Sequence, residues 1–113
     1  MREEWTPTQA QFDAFARVSG DTNPIHVDPD FCRDTPFALP VSHGMLIYAR
    51  IWHMLARARP GARHRVQEMM FPNPAYAGEA LVLEISDERG AISVRAARKA
   101  DGAVCLQGRA VLE

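Results

Sequence analysis

Directly after Gly44 the chain runs Met45, Leu46, Ile47, Tyr48, Ala49, Arg50, Ile51, Trp52, His53, Met54, Leu55, apolar almost all round a helix. A helix with so wide an apolar surface is normally enclosed on most sides. The chain has 113 residues, a length that suits one domain spanning 1–113. In a domain this small, a curved sheet is the element able to enclose the helix. The second half supplies it. Strands are predicted over 65–71, 80–86, 91–98 and 103–112, with turn signals at Asp87 to Gly90 and at Asp101-Gly102. Ile92, Val94 and Ala96 alternate with Ser93, Arg95 and Ala97, and Val104, Leu106, Ala110 and Leu112 share one side. Period two with one apolar face describes an antiparallel sheet wrapped on a core. Pro72 and Pro74 end the first of these strands. The fold class is therefore α+β, a long central helix wrapped by a curved antiparallel sheet.

The first half reads as helix and loop. Thr6 is the expected N-cap of a first helix, with Pro7 at its first position and Gln9 closing a capping box. Phe12, Phe15 and Ala16 share a face, and Gly20 stops the helix after Val18 or Ser19. Asp21-Thr22-Asn23-Pro24 is a loop, because proline disfavours the helical region for the residue before it. Asp28-Pro29-Asp30 can start a short helix over Phe31 and Cys32.

Charge and cysteine content narrow the function. The net charge is -1, and the 13 basic side chains are scattered apart from the Arg57, Arg59, Arg63, Arg65 cluster. That field is weak for nonspecific nucleic-acid binding. It could meet the phosphates of a carried substrate, or be a solvated connection after the helix. Cys32 and Cys105 follow no metal-ligand spacing and read as free thiols of a reducing compartment. The opening Met1-Arg2-Glu3-Glu4-Trp5 does not read as a signal peptide, and no apolar run approaches membrane-spanning length. The expectation is a cytoplasmic protein.

Asp21 and His26 lie five residues apart with turn formers between them. An imidazole, with its reference pKa of about 6.5, exchanges a proton near neutral pH. An enclosed carboxyl can be held protonated for an acid role. Two readings fit. The loop can curl so that both groups face one point, with Asn23 tying the backbone down. Alternatively, Asp21 caps a turn, Asn23 makes an Asx-turn and His26 bonds across the loop. As a metal site the pair lacks further converging ligands. His43, beside a helix start, reads as structural. In Ser42-His43-Gly44 the unpaired N–H groups of the helix start point outward, and glycine lets a ligand approach them closely. A thioester carbonyl held there would have its developing charge stabilised. Ser42 can cap the helix or bond near the pair.

The pattern Phe15-x-x-Val18-Ser19-Gly20-Asp21-x-Asn23-Pro24-Ile25-His26-x-Asp28-Pro29, followed by Phe37-Ala38-x-Pro40-Val41-Ser42-His43-Gly44-Met45, resembles the hydratase motif of MaoC-like (R)-specific enoyl-CoA hydratases. The likeness is clearest from Trp5 to Leu55 and looser to the C-terminus. It implies a hot-dog fold. It also implies reversible addition of water to a trans-2-enoyl thioester, giving a (3R)-3-hydroxyacyl thioester. By that resemblance Asp21 and His26 are the catalytic pair that holds the water. Gly44 supplies the N–H for the thioester oxygen, and Asn23 and Ser42 orient the pair and pocket. No metal or redox cofactor is implied, since coenzyme A or an acyl carrier protein is part of the substrate. A homodimer joined through its sheets is implied, or a mixed pair with a heteromeric partner.

Phe37, Tyr48, Trp52 and Tyr76 are candidate acyl-site residues, with Cys32 and Leu39 as further wall candidates, and Arg63 and Arg65 are candidates for the carrier's phosphates. The segment Phe71-Pro72-Asn73-Pro74-Ala75-Tyr76-Ala77-Gly78-Glu79 departs from the family pattern by its added Pro72 and Tyr76. Two other readings compete: a thioesterase on the same fold, and a non-catalytic or acyl-carrier-binding module.

Overall fold

The computed structural model describes residues 1–113. Its elements are β1 (Arg2–Trp5), α1 (Gln9–Ser19), α2 (Pro24–Val27), α3 (Pro29–Arg33), α4 (Gly44–Ala58), β2 (His64–Met70), β3 (Leu81–Glu88), β4 (Ala91–Arg98) and β5 (Val104–Leu112). The five strands form one sheet in the order β1-β3-β4-β5-β2, every neighbouring pair antiparallel. This is the hot-dog arrangement, with α4 as the long helix and the sheet wrapped on it. No helix is long and apolar enough to cross a membrane.

The core lies between α4 and the sheet. Ile47, Ile51, Met54 and Leu55 face Leu81, Leu83, Ile85, Ile92, Val94, Ala96, Leu106 and Ala110, and Trp5 closes one end. Each large aliphatic side chain buried here contributes about 1.5–3 kcal/mol relative to exposure. The alternation read from β4 holds, since Ile92, Val94 and Ala96 point inward. In β5 it breaks. Ala97 opposes Val104 while Ala96 opposes Leu106, so Cys105 is an extra residue. Such a bulge leaves one residue unpaired and re-aims its side chain. Cys105 is buried as a result.

Three expectations need correction. The first helix is capped by Thr8 rather than Thr6. Thr8 Oγ1 accepts from Gln11 N–H at 3.2 Å, and Gln11 Oε1 accepts from Thr8 N–H at 3.0 Å. The reason is that β1 pairs through Trp5 with Leu81, so the chain is still extended at Thr6. Next, the loop ends at Asn23 rather than at Pro24, and Pro24 to Val27, His26 included, form a one-turn helix, α2. Pro24 starts that turn, and Asn23 Oδ1 caps it by accepting from Ile25 N–H at 3.0 Å. Finally, α4 is enclosed on one face only. Met45 and Trp52 are each 50% exposed on the other, because a single five-stranded sheet covers one side of a helix.

Three local expectations agree with the structure. Gly20 ends α1 in the left-handed conformation, φ 80°, donating its N–H to Ala16 O. Asp28 caps α3 by accepting from Asp30 and Phe31. Cys32 and Cys105 are free thiols.

Candidate active site

The segment 41–43 holds the site together. Val41 N–H donates to Ile25 O at 3.0 Å, and Ser42 N–H donates to Ala75 O at 2.8 Å. Val41 also forms an isolated bridge with Tyr76. The segment thus runs between α2 and the stretch after β2, and it delivers the chain into α4. From the other side, Gln9 of α1 donates its Nε2–H to His26 O at 3.0 Å.

These contacts fix the tautomer of His26. Its Nδ1 lies 2.8 Å from Val41 O. A carbonyl only accepts, so Nδ1 carries the hydrogen and the neutral ring keeps its lone pair on Nε2. That Nε2 lies 3.7 Å from Asp21 Oδ2, with the Asp21 side chain 53% exposed and the His26 side chain 13%. The distance is too long for a hydrogen bond and short enough for one water to touch both groups. Asp21 is itself held in a turn. Its N–H donates to Ser19 Oγ at 3.1 Å, and its Oδ1 accepts from Asn23 N–H at 3.4 Å.

The start of α4 is left open. No side chain caps it, and neither Gly44 N–H nor Met45 N–H has an acceptor. Ser42 does not cap: its hydroxyl donates to His43 O at 3.0 Å. The Phe71 ring lies directly over Gly44, where an added Cβ would sit 2.7 Å from Phe71 Cε1. Only glycine fits this approach without moving the ring.

A cleft of about 360 Å³ joins these parts. Asp21 and the Ser42–Met45 turn line one side, Phe71 to Ala75 the other, with Phe37, Val41, Ile47 and Cys105 completing the wall. The lining surface is mainly apolar, and Asp21, Asn73 and the Ser42–Gly44 turn at the α4 N-terminus are its polar features. That combination suits an acyl group with one polar reacting end.

His43 lies behind the pair, 2% exposed. Its ring stacks on that of His26, centroids 3.8 Å apart and planes 22° apart, and meets Phe15 edge-on at 4.9 Å. Its Nε2–H donates to the backbone carbonyl of Asp21 at 3.0 Å. Burial pushes its pKa below the ordinary histidine value. The ligand atoms of Asp21, His26 and His43 lie within 4.8 Å of one another. As a metal centre the set is nonetheless poor. His43 Nε2 carries a hydrogen, its Nδ1 is buried without a partner, and only two free donors remain against the three or four a held zinc takes.

The structure thus brings together Asp21, His26, Asn23, Ser42, Gly44 and Phe37 from the residues singled out in the sequence. The others lie elsewhere. Tyr76 is outside the lining, donating its hydroxyl to Phe37 O at 3.1 Å. Tyr48 packs against the core and towards His64. Trp52 is two turns along α4, about 12 Å from Gly44 at the helical rise. Arg63 and Arg65 lie near the start of β2, and Phe71, six residues beyond Arg65, is about 20 Å further along. Arg65 pairs with Glu113, Arg57 with Glu3 and Arg59 with Asp87, so most of the basic cluster is already neutralised. Cys32 donates towards Ile25 O beneath α2, and Leu39 is exposed.

Sequence reasoning missed His43 and Cys105 as neighbours of the site. The position of His43 next to Gly44 was the available signal for the first. The bulge that turns Cys105 inward leaves no composition signal.

Residues 1–105 match the family described as MaoC like domain. The (R)-specific enoyl-CoA hydratase of Aeromonas caviae is 35% identical over 78 residues, covering 67% of this chain and 58% of that protein. A mitochondrial 3-hydroxyacyl-(acyl-carrier-protein) dehydratase of Arabidopsis thaliana is 32% identical over 82 residues, covering 73% and 49%. The chain therefore spans about half the length of these curated relatives. Among solved structures, an (R)-hydratase from A. caviae involved in PHA biosynthesis superposes with a TM-score of 0.89 at 28% identity, covering 100% of this chain and 92% of the other.

Proposed function

Because this chain belongs to the MaoC-like domain family, we propose that it reversibly hydrates a trans-2-enoyl thioester of coenzyme A or acyl carrier protein to the (3R)-3-hydroxyacyl thioester. One observation carries the reading. A lone-pair-bearing His26 Nε2 and the Asp21 carboxylate stand 3.7 Å apart, beside a cleft whose rim presents the unpartnered N–H of Gly44.

In hydration, Gly44 N–H donates to the thioester oxygen, where negative charge develops as the enolate forms. The positive end of the α4 dipole acts in the same direction. Asp21 and His26 both accept from the water. One O–H bond breaks as C3–O forms, and the pair takes that proton and returns one to C2. No net proton is gained or lost. The two groups act as one site, so the proton belongs to the pair rather than to either member. Asn23 holds the turn that presents Asp21 and caps the helix that presents His26. Ser42 sets the path of the chain into Gly44, and Phe37 closes the acyl side of the cleft.

Pairing with a second copy belongs to the same reading. The exposed side of α4 carries Met45 and Trp52, and edge strand β2 exposes Val66 and Met70. Joined to a second unit, both surfaces would leave water. A related but different chain could cover them equally well, giving a mixed pair.

The test follows loss of the conjugated enoyl absorbance with crotonyl-CoA, using wild type and Asp21→Asn, with chiral analysis of the product. The expected result is a rapid, Asp21-dependent loss and an R-configured alcohol. Release of free thiol from a saturated acyl thioester, without hydration, would instead make the protein a thioesterase. Equal turnover by wild type and Asp21→Asn would remove the pair from the mechanism.

A further inference from the structure

His43 touches both halves of the site without lining it as a reactive group. Its backbone immediately precedes the Gly44 N–H. Its side chain reaches back across the chain to the carbonyl of Asp21, 3.0 Å away. Its ring face lies on the ring of His26, centroids 3.8 Å apart. We propose that His43 is a positioning residue whose neutral imidazole ties the Asp21 turn and the His26 ring to the start of α4, so that the proton-transfer pair and the oxyanion donor keep one registration. The proposal rests on the hydratase reading for its effect on rate, and on geometry alone for its effect on the pair.

The chemistry of the ring makes this role specific to a neutral histidine. The bond to Asp21 requires hydrogen on Nε2, which leaves Nδ1 bare. That Nδ1 is buried with no partner, so a second proton there would add an uncompensated buried charge. The titratable groups facing the ring are His26, from α2, and Asp21, from the turn after α1; α1 itself contributes the uncharged Phe15 ring. A charged His43 would also repel His26 whenever His26 holds the proton of the reaction. Burial, which pushes the His43 pKa down, keeps the ring neutral through that cycle.

Two substitutions divide the role. His43→Phe keeps a ring against His26 and removes the donor to Asp21. His43→Gln keeps a donor within reach and removes the ring. Nitrogen-15 imidazole spectra between about pH 5 and about pH 8 are recorded for wild type and both variants, beside kcat and KM for crotonyl-CoA and a thermal melt. In wild type, His43 is expected to hold the Nε2–H tautomer and not titrate, while His26 holds Nδ1–H. In both variants kcat is expected to fall about 10²-fold, the loss typical of misplaced reacting groups, with KM little changed. The His26 resonances are expected to move or broaden in His43→Phe, and those of the Asp21 amide with them.

A folded His43→Phe with wild-type kcat and unmoved His26 signals would overturn the proposal and leave His43 as packing alone. So would a wild-type His43 that titrates normally or carries its hydrogen on Nδ1, a result available even if neither variant folds. Should wild type hydrate no enoyl thioester, the reaction assigned above fails. The spectra would still decide whether His43 orders the pair.

Discussion

Gly44→Ala is expected to separate catalysis from folding. The added Cβ would stand 2.7, 2.8 and 2.9 Å from Phe71 Cε1, Cζ and Cδ1, whereas carbon atoms rest at about 3.5–4.0 Å. The ring must therefore retreat by about 1 Å. It can do so, because Phe71 is 44% exposed and follows the end of β2. Moving it off its rotamer costs about 0.5–1.5 kcal/mol. Against this, alanine is the better helix former by up to about 1 kcal/mol. The two nearly cancel, and Tm is expected to stay within about 5 °C of wild type. Activity has no such compensation. The methyl group and the displaced ring occupy the space in front of the Gly44 N–H, pushing the carbonyl away from its donor. Loss of one oxyanion donor costs about 10²–10³-fold in kcat, and a fall of that order is expected. The assay is crotonyl-CoA hydration beside a circular-dichroism melt. A folded Ala variant with kcat within about threefold of wild type would refute the oxyanion role.

Other expectations concern single groups. Asp21→Asn should lower turnover about 10²–10⁴-fold with little change in Tm, since an Asn oxygen can still accept from Asn23 N–H and the side chain is half exposed. Thr8→Ala removes the cap of α1 and should cost about 1 kcal/mol, read as a drop on the order of 5 °C in Tm with the kinetic constants preserved. Stability should fall on acidification below about pH 6.5, because the unfolded chain protonates His43 there while the folded chain, with its lowered pKa, does not. One such group contributes a slope of at most about 1.4 kcal/mol per pH unit; urea melts at two pH values should show stability falling with pH in wild type and falling less steeply in His43→Phe. Cys32 and Cys105 are buried and held above the ordinary thiol pKa by that burial. Both should resist alkylation at neutral pH until denaturant is added, and rapid native labelling would show that these sites open.

The sheet was legible because its strands carry the signal locally. Ile92, Val94 and Ala96 alternate within β4 itself, and Asp101-Gly102 marks its turn without help from distant residues. The central helix was equally plain from its apolar run after Gly44. What the run did not disclose is that only one face meets the sheet, since the chain supplies a single sheet and nothing to cover the side of Met45 and Trp52. The capping error at Thr6 has a similar origin. Thr6 and Thr8 both precede usable glutamines, and only the pairing of Trp5 with Leu81 decides between them. In the site, Asp21, His26 and Gly44 stood out by residue type and spacing. The tautomer of His26 did not, because it is set by Val41 O, fifteen residues away. The stack of His43 on His26 was hidden for the same reason, being a contact between two segments that meet only when 41–43 threads beside α2.

Strand β2 is hydrogen-bonded along one side only, to β5, and Phe71, the lid over Gly44, follows directly at its end. The aperture of the cleft is therefore set at an edge strand of the sheet. Whatever pairs along the free side of β2 would stiffen it and fix the ring. Entry of an acyl chain and association with a neighbour would then be two readings of one mechanical variable, the freedom of a single edge to bend.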